Sequence, residues 1–357
     1  MPRRFILEER VQSKSVGYAY PTSNNYGQGT QVLDNFQSGE IGKGSGRGRV
    51  SCTLRDQFSS RKQSFIMNAV LIMDKPRGLT SHDVVSRVRH MLGQRAVGHL
   101  GTLDPMATGV LPIVLGTMTR LAQFYLTAEK CYQGVIRFGF ATDTYDVTGE
   151  PSGKGHQVTL SLGTIKELAR RFQGTIEQMP PPFSAKKIEG VPAYKLARKK
   201  REVTLKPVRV TIKEFEITRV EEDRAYFYAR VASGTYMRSV AHEMGQLLGC
   251  GAHLESLRRT AVAEFELTDA HTLEELGKAA QRGTVLNLLV HPRRLLPMLP
   301  AVTANDEIAT RIRHGRQVNL PELSRAREVK VFYGQRDLIA ISTRVAGTLF
   351  HPRIVLG

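Results

Sequence analysis

Cysteine is scarce in this chain of 357 residues. There are three, Cys52, Cys131 and Cys250, far apart and with no CxxC pair. That excludes a disulfide scaffold or a zinc ribbon and fits a reducing, cytoplasmic setting. No long apolar run occurs, so no segment is suited to cross a bilayer, and FIL followed by EER near the start is too short for a signal peptide. Acids are outnumbered: 33 Asp and Glu stand against 51 Lys and Arg, a formal net charge of +18. A field of that sign draws polyanions, nucleic acid first and an anionic membrane surface second. Fingerprints of nucleoside-phosphate and metal sites are also missing. There is no GxxxxGKS/T, no GxGxxG between a strand and a helix, no HExxH and no His/Cys cluster.

What is present divides into three parts. Residues 1–66 include QGTQVLDNFQSGEIGKGSGRGRVSC, rich in Gly, Ser, Gln and Asn and without a sustained period. Such a segment buries too little apolar surface to offset the entropy of ordering. Two readings stand: a disordered extension, or a start of translation at Met67 with the upstream residues outside the protein. This part holds ten basic and five acidic residues, so +13 of the +18 belongs to residues 67–357.

From Met67 to residue 298 strands and helices alternate without a βαβ rhythm. NAVLIMDKPRG predicts a strand closed by Pro76 and Gly78. Thr80 opens a helix over SHDVVSRVRHML that places Val84, Val85, Val88 and Leu92 on one face and stops at Gly93. CYQGVIRFGFA alternates with Tyr132, Ile136, Phe138 and Phe140 on one side. Thr164 and Glu167 have capping-box spacing before Leu168, Ala169 and Phe172. VRVTIKEFEI and RAYFYARVAS read as strands. RSVAHEMGQLLG reads as a helix with Val240, Met244, Leu247 and Leu248 inward. The expected class is α+β, with a mixed, mostly antiparallel sheet and flanking helices. Residues 299–357 hold one short helix, DEIATRIRHG, and the short strands EVKVFYG, DLIAIS and GTLFHPRIVL, which predict a small β-rich module. Its helix end is basic, with Arg311, Arg313, His314 and Arg316.

The chemistry concentrates in GHLGTLDPMATGV, residues 98–110. One carboxylate, Asp104, stands among glycines and small residues, with His99 five positions earlier. A lone Asp in a loop is ordinarily a turn or cap residue. Here the absence of bulk leaves room for a planar substrate to approach the backbone. A second acid, as a glycosidase would need, is not visible nearby. Asp143 and Asp146 in TDTYDVTGE form a possible acid pair, but Thr, Asp and Gly together read better as a turn.

GHLGTLDPMATGVLPI resembles the signature of the TruB family of pseudouridine synthases. LIMDKPRGLTSHDVV, KCYQGVIRFGFATDTYDVTGE, QMPPPFSAKKIEGVPAYKLAR, SGTYMRSVAHEMGQLLG and AHLESLRRTAVAEF resemble further blocks of that family, in its order, from about Met67 to Phe265. The tail from Leu299 is similar to the family's PUA-type RNA-binding module. The resemblance implies the pseudouridine synthase fold and isomerisation of uridine 55 in the TΨC loop of tRNA. It implies no cofactor, no metal and no obligate protein partner, and a monomer that binds the tRNA T arm away from any membrane. It makes Asp104 the acid that acts at the ribose of a flipped nucleotide. Tyr132 becomes the residue that stacks on uracil and serves as base. Arg238 becomes the partner of the acid, Tyr236 and Leu257 line the uracil pocket, and His99 fills the space left by the flipped base. Phe183 departs from the family, which usually has Tyr there.

The basic run that follows, with Lys186, Lys187, Lys195, Arg198, Lys199, Lys200 and Arg201, reads as phosphate contacts. Three rival functions stand beside this one. They are a guide-RNA-particle synthase of the archaeal and eukaryotic type, a non-catalytic tRNA-binding or tRNA-folding protein, and a nucleoside hydrolase.

Overall fold

The computed structural model describes residues 67–184, 205–322 and 325–357, and residues 187–188 and 191–192 as backbone only. Lys186, Lys195, Arg198, Lys199, Lys200 and Arg201 lie outside the described residues, and Lys187 is described by its backbone alone. In chain order the strands are β1 (Ala69–Lys75), β2 (Val97–His99), β3 (Thr108–Leu115), β4 (Lys130–Phe138), β5 (Ala141–Thr142) and β6 (Pro151–Ser152). There follow β7 (Gly174–Gln178), β8 (Lys187–Ile188), β9 (Val191–Pro192), β10 (Val208–Glu221), β11 (Arg224–Val231), β12 (Ala252–Val262) and β13 (Phe265–Glu266). The last five are β14 (Ala301–Ala304), β15 (Val318–Asn319), β16 (Glu328–Tyr333), β17 (Asp337–Ala346) and β18 (Leu349–Val355). The α-helices are α1 (Ser81–Leu92), α2 (Leu162–Arg170), α3 (Met237–Leu247), α4 (Leu273–Arg282) and α5 (Asp306–Arg313).

The first sheet runs β1-β3-β12-β4-β11-β10-β7, with β2 on β3 and β13 on β12. Every pairing is antiparallel except β3 with β12, which meet in parallel at Thr108↔Arg258 and Gly109↔Arg259. That parallel joint decides where the loop before β3 sits. Gly109 has φ +103, and a Cβ there would lie 2.2 Å from the Arg259 carbonyl oxygen. Only glycine lets the two backbones approach so closely. The mixed, mostly antiparallel α+β sheet expected from the sequence is what forms.

Local signals account for most of the helices. Thr80 caps α1 in a reciprocal box with Asp83, and Gly93 closes it in the left-handed conformation. Val84, Val85 and Val88 are buried against β1 and β3, in a core that α4 completes. On the other half of the sheet, α2 packs on β10 and α3 on β12 over Ile136, Phe138, Phe215, Phe227 and Leu254. Burying each such side chain contributes about 1.5–3 kcal/mol relative to exposure.

Two expectations need correction. α2 begins at Leu162 after Ser161, which adopts the extended cap conformation, so Thr164 lies inside the first turn and Thr164 and Glu167 form no capping box. In α3, Leu247 is 52% exposed. Val240 and Met244 face inward as expected, joined by Met237, Arg238 and Ala241, because the helix packs mainly through its first two turns.

The C-terminal sheet runs β14-β16-β17-β18-β15, parallel only at β14–β16. It has its own core around Val302, Ile312, Val329, Ile339 and Phe350. A second cluster joins it to the first sheet: Phe332, Leu338, Ile341, Ile354 and Leu356 pack with Val70, Ile72, Val114, Leu121 and Tyr125. Among the described residues no helix is long and apolar enough to cross a membrane.

Candidate active site

The loop between β2 and β3 is held through its main-chain oxygens. Lys75, fully buried at the end of β1, donates to the carbonyls of Pro76 (2.9 Å), Leu79 (2.6 Å) and Pro105 (3.3 Å). Arg259, 1% exposed on β12, donates to Val110 (2.8 Å), Thr102 (3.2 Å) and Gly101 (3.0 Å). Ser81, the first residue of α1, accepts from the Leu103 amide at 2.8 Å. Three elements thus fix the backbone around Asp104. Its position follows from long-range grips on carbonyls, which every residue possesses.

Arg238, buried at the start of α3, reaches Asp104 with a fork. Nε lies 2.8 Å from Oδ2, and Nη2 donates to Oδ1 at 3.1 Å. The same guanidinium donates to the carbonyls of Thr144 (3.2 Å) and Phe183 (3.0 Å). It also stands 3.5 Å from Oδ2 of the buried Asp146. Asp146 Oδ1 in turn accepts from the Thr148 amide at 2.9 Å and from the Thr144 hydroxyl at 2.9 Å. A guanidinium held from so many directions presents a fixed plane to the Asp104 carboxylate. The remaining exposure is on the acid, whose side chain is 32% accessible.

Asp104 and Arg238 border a cavity of about 260 Å³ whose other walls include Lys130, Tyr132, Tyr236 and Leu257. Tyr132 is buried, with the Arg259 charge beside it. Burial raises the Tyr132 pKa, opposed by the Arg259 charge, so the phenol is neutral at rest. Burial likewise raises Tyr236. Lys75 and Lys130 are each lowered to about 8, chiefly by burial. His99 lies on β2, paired with Ile113, and is not among the residues lining the cavity; burial lowers its pKa. A larger hollow of about 370 Å³ between α2 and β10 is lined by Lys166, Arg170, Glu214 and Glu216. It offers exposed charge but no side chain poised as Asp104 is.

The structure therefore gathers Asp104, Tyr132, Tyr236, Arg238 and Leu257 around one space. It adds Lys75, Lys130 and Arg259, three residues not expected at the site, and brings Asp146, expected in a turn, against Arg238. Two of these had a signal. Lys130 lies two positions before Tyr132 and Arg259 two after Leu257, so strand alternation puts each beside an inward neighbour. The turn reading of Asp143 and Asp146 holds for their local bonds, since Asp143 accepts from the Glu150 amide at 2.9 Å. The contact of Asp146 with Arg238 is the part a local reading omits.

Comparison with known proteins is consistent along the chain. A model described as TruB family pseudouridylate synthase (N terminal domain) matches residues 89–237. One described as tRNA pseudouridylate synthase B C-terminal domain matches residues 238–298. The tRNA pseudouridine synthase B of Solibacter usitatus is 45% identical over 293 residues, covering 81% of this chain and 100% of that protein. That of Aquifex aeolicus is 38% identical with the same coverage. That of Geobacter sulfurreducens is 41% identical over 249 residues, 70% of this chain and 82% of its own length. Among solved structures, a chain of a Cbf5-Nop10-Gar1 complex superposes with a TM-score of 0.61 over 82% of this chain and 86% of its own, at 24% identity, a likeness of fold.

Proposed function

The chain belongs to the TruB family of pseudouridine synthases, and from that premise we propose that it converts uridine 55 in the T loop of tRNA to pseudouridine, with Asp104 acting at the ribose of a flipped nucleotide. The observation that carries the reading is the fork of Arg238 on Asp104 beside a cavity walled by Tyr132, Tyr236 and Leu257. Pseudouridylation breaks C1′–N1, turns the uracil and joins C1′ to C5. The product is an isomer, so no electron or group donor enters the balance.

In one route the Asp104 carboxylate attacks C1′ and uracil departs. In the other it removes a proton from the sugar and uracil departs as the double bond forms. Both need an ionised, oriented acid, and Arg238 supplies the orientation. Tyr132 stacks on the base; after C1′ and C5 are joined its hydroxyl gives its proton towards N1 and, as a phenolate stabilised by the Arg259 charge, takes the C5 proton. Tyr236 and Leu257 hold the ring, and His99 fills the gap left in the RNA. Uracil is both leaving group and returning nucleophile, so a small enclosed space favours recombination over escape.

We place the chain in the cytoplasm as a monomer that needs no protein partner. The similarity in sequence to proteins named tRNA pseudouridine synthase B favours this over a guide-RNA particle. Incubating the purified chain alone with an unmodified tRNA transcript and mapping pseudouridine tests it. Modification at position 55 is expected, and no modification without added protein or guide RNA overturns it.

Docking and chemistry separate in a crossed test. Replacing Lys199, Lys200 and Arg201 with Ala removes up to three cations from the phosphate backbone. It weakens tRNA binding and flattens the dependence of log K on log[salt] by roughly 0.7–0.9 for each phosphate no longer neutralised. The single-turnover rate at saturating tRNA barely moves, because phosphates are held equally in ground and transition states. Tyr132→Phe does the reverse, with near-normal binding and a much lower rate. If the triple variant binds normally, or Tyr132→Phe keeps its rate, the division is wrong. A chain beginning at Met67 is expected to modify tRNA at a similar rate with unchanged thermal stability. A large drop in either would give residues 1–66 a part in folding or binding.

A further inference from the structure

Charge around the cavity is uneven. On the ribose side Arg238 meets two carboxylates, Asp104 and Asp146. On the side of Tyr132 stand two cations, Lys130 in the cavity wall and Arg259 buried behind it, and among the described residues neither pairs with a carboxylate. Arg259 is held by three carbonyls. Lys130 is 9% exposed and lines the cavity. It donates once, to the Ala128 carbonyl at 2.7 Å, which leaves two N–H groups of its ammonium for another acceptor. Both cations border Gly101, where a Cβ would lie 3.7 Å from Lys130 Cε and 3.7 Å from Arg259 Nη1. Lys130 and Tyr132 share a face of β4, both being buried alternate residues. Lys130 and Tyr132 therefore border the same cavity from one face of the strand.

Burying positive charge without a counter-ion is costly unless an anion arrives during function. The proposed reaction makes one. When C1′–N1 breaks, its electron pair leaves with uracil and spreads over N1, O2 and O4, whichever way Asp104 acts. The pair that forms C1′–C5 returns from C5, the C5 proton leaves to a base, and N1 gains a proton, so charge and atoms balance.

We propose that Lys130, backed by Arg259, stabilises the detached uracil as its anion by donating to a ring oxygen between cleavage and rejoining. This rests on the uridine-isomerase reading. It adds a group whose contribution is felt only as charge develops, the condition for accelerating a step rather than merely binding its substrate. Burial and the neighbouring Arg259 bring Lys130 down to about 8, so it still holds its proton at neutral pH.

The test uses the full chain, Lys130→Gln and Lys130→Arg, and two tRNA transcripts. One carries uridine at the target position and the other 5-fluorouridine, whose base is a more stable anion. The readout is breakage of C1′–N1 under single turnover at saturating RNA, scored by digestion of the product, with Kd measured separately. Lys130→Gln is expected to lose about 10²-fold in rate on uridine and less than about 10-fold on 5-fluorouridine, with Kd little changed. Lys130→Arg keeps most of the rate.

Three results overturn the proposal. Equal losses on the two substrates would make Lys130 a structural residue. A weakened Kd with an intact rate would place it on a phosphate. Equal failure of Arg and Gln in stably folded proteins would show that charge is not what matters. If the unaltered chain makes no pseudouridine, the functional reading itself falls. If it does and Lys130→Gln keeps its rate, only this proposal falls.

Discussion

Asp104→Asn is expected to bind tRNA within a few-fold of the unaltered chain and to form no measurable pseudouridine. The substitution preserves shape and leaves an amide oxygen for Arg238 to meet, so the cavity wall stays in place. What it removes is the negative charge needed either to attack C1′ or to take a proton. Loss of one member of a catalytic unit typically costs on the order of 10⁴-fold or more in rate. The loop backbone is fixed by Lys75, Ser81 and Arg259 independently of this side chain, so thermal stability should move little. Single-turnover conversion of a tRNA transcript, with a parallel binding isotherm, checks both halves. Substantial turnover by the Asn variant would mean that Asp104 is not the reacting acid.

Arg238→Met should damage both stability and activity. The guanidinium is buried and is the one cation placed between Asp104 and Asp146 among the described residues, and it also satisfies two carbonyls. Methionine fills part of the space but leaves Asp146, itself buried, with only its threonine partners and its charge uncompensated. Removing one partner of a buried ion pair costs about 3–5 kcal/mol, which for a domain of this size lowers the melting temperature by on the order of 10 °C. The rate should fall by several orders of magnitude because Asp104 loses its orientation. A double substitution, Arg238→Met with Asp146→Asn, removes the stranded charge. It should recover part of the stability and none of the rate. Recovery of both together would mean that Arg238 acts only through folding.

The frame of the fold was legible where its causes are local. β1 is a short apolar run ended by Pro76 and Gly78, and α1 carries its own start and stop in Thr80 and Gly93. Asp104 stood out because its surroundings lack bulk, and the family motifs named its companions. The start of α2 was misread because Thr164 and Glu167 have the spacing of a cap, while Ser161, three residues earlier, takes the extended conformation that begins the helix. Lys75, Lys130 and Arg259 are hidden from a local reading for a different reason. A charge within a strand is ordinarily solvated, whereas these three are buried, Arg259 at the joint where β3 and β12 meet in parallel. Asp146 shows the same limit. Its turn bonds belong to its own segment, but its second partner arrives on α3, and no local period carries that meeting.

The cluster shared by the two sheets bears on how the chain melts. Phe332, Leu338, Ile354 and Leu356 sit in the same core as Val70, Ile72 and Val114. The final strand is stitched down as well, with Arg120 donating to the Val355 carbonyl at 2.7 Å and Arg353 to the Gln123 side chain at 3.0 Å. Peeling off the C-terminal sheet would strip apolar cover from the strands that frame the loop of Asp104. Cooperativity therefore runs from one end of residues 67–357 to the other. A lesion in β17 or β18, remote from any reacting atom, lowers the barrier to losing the site altogether.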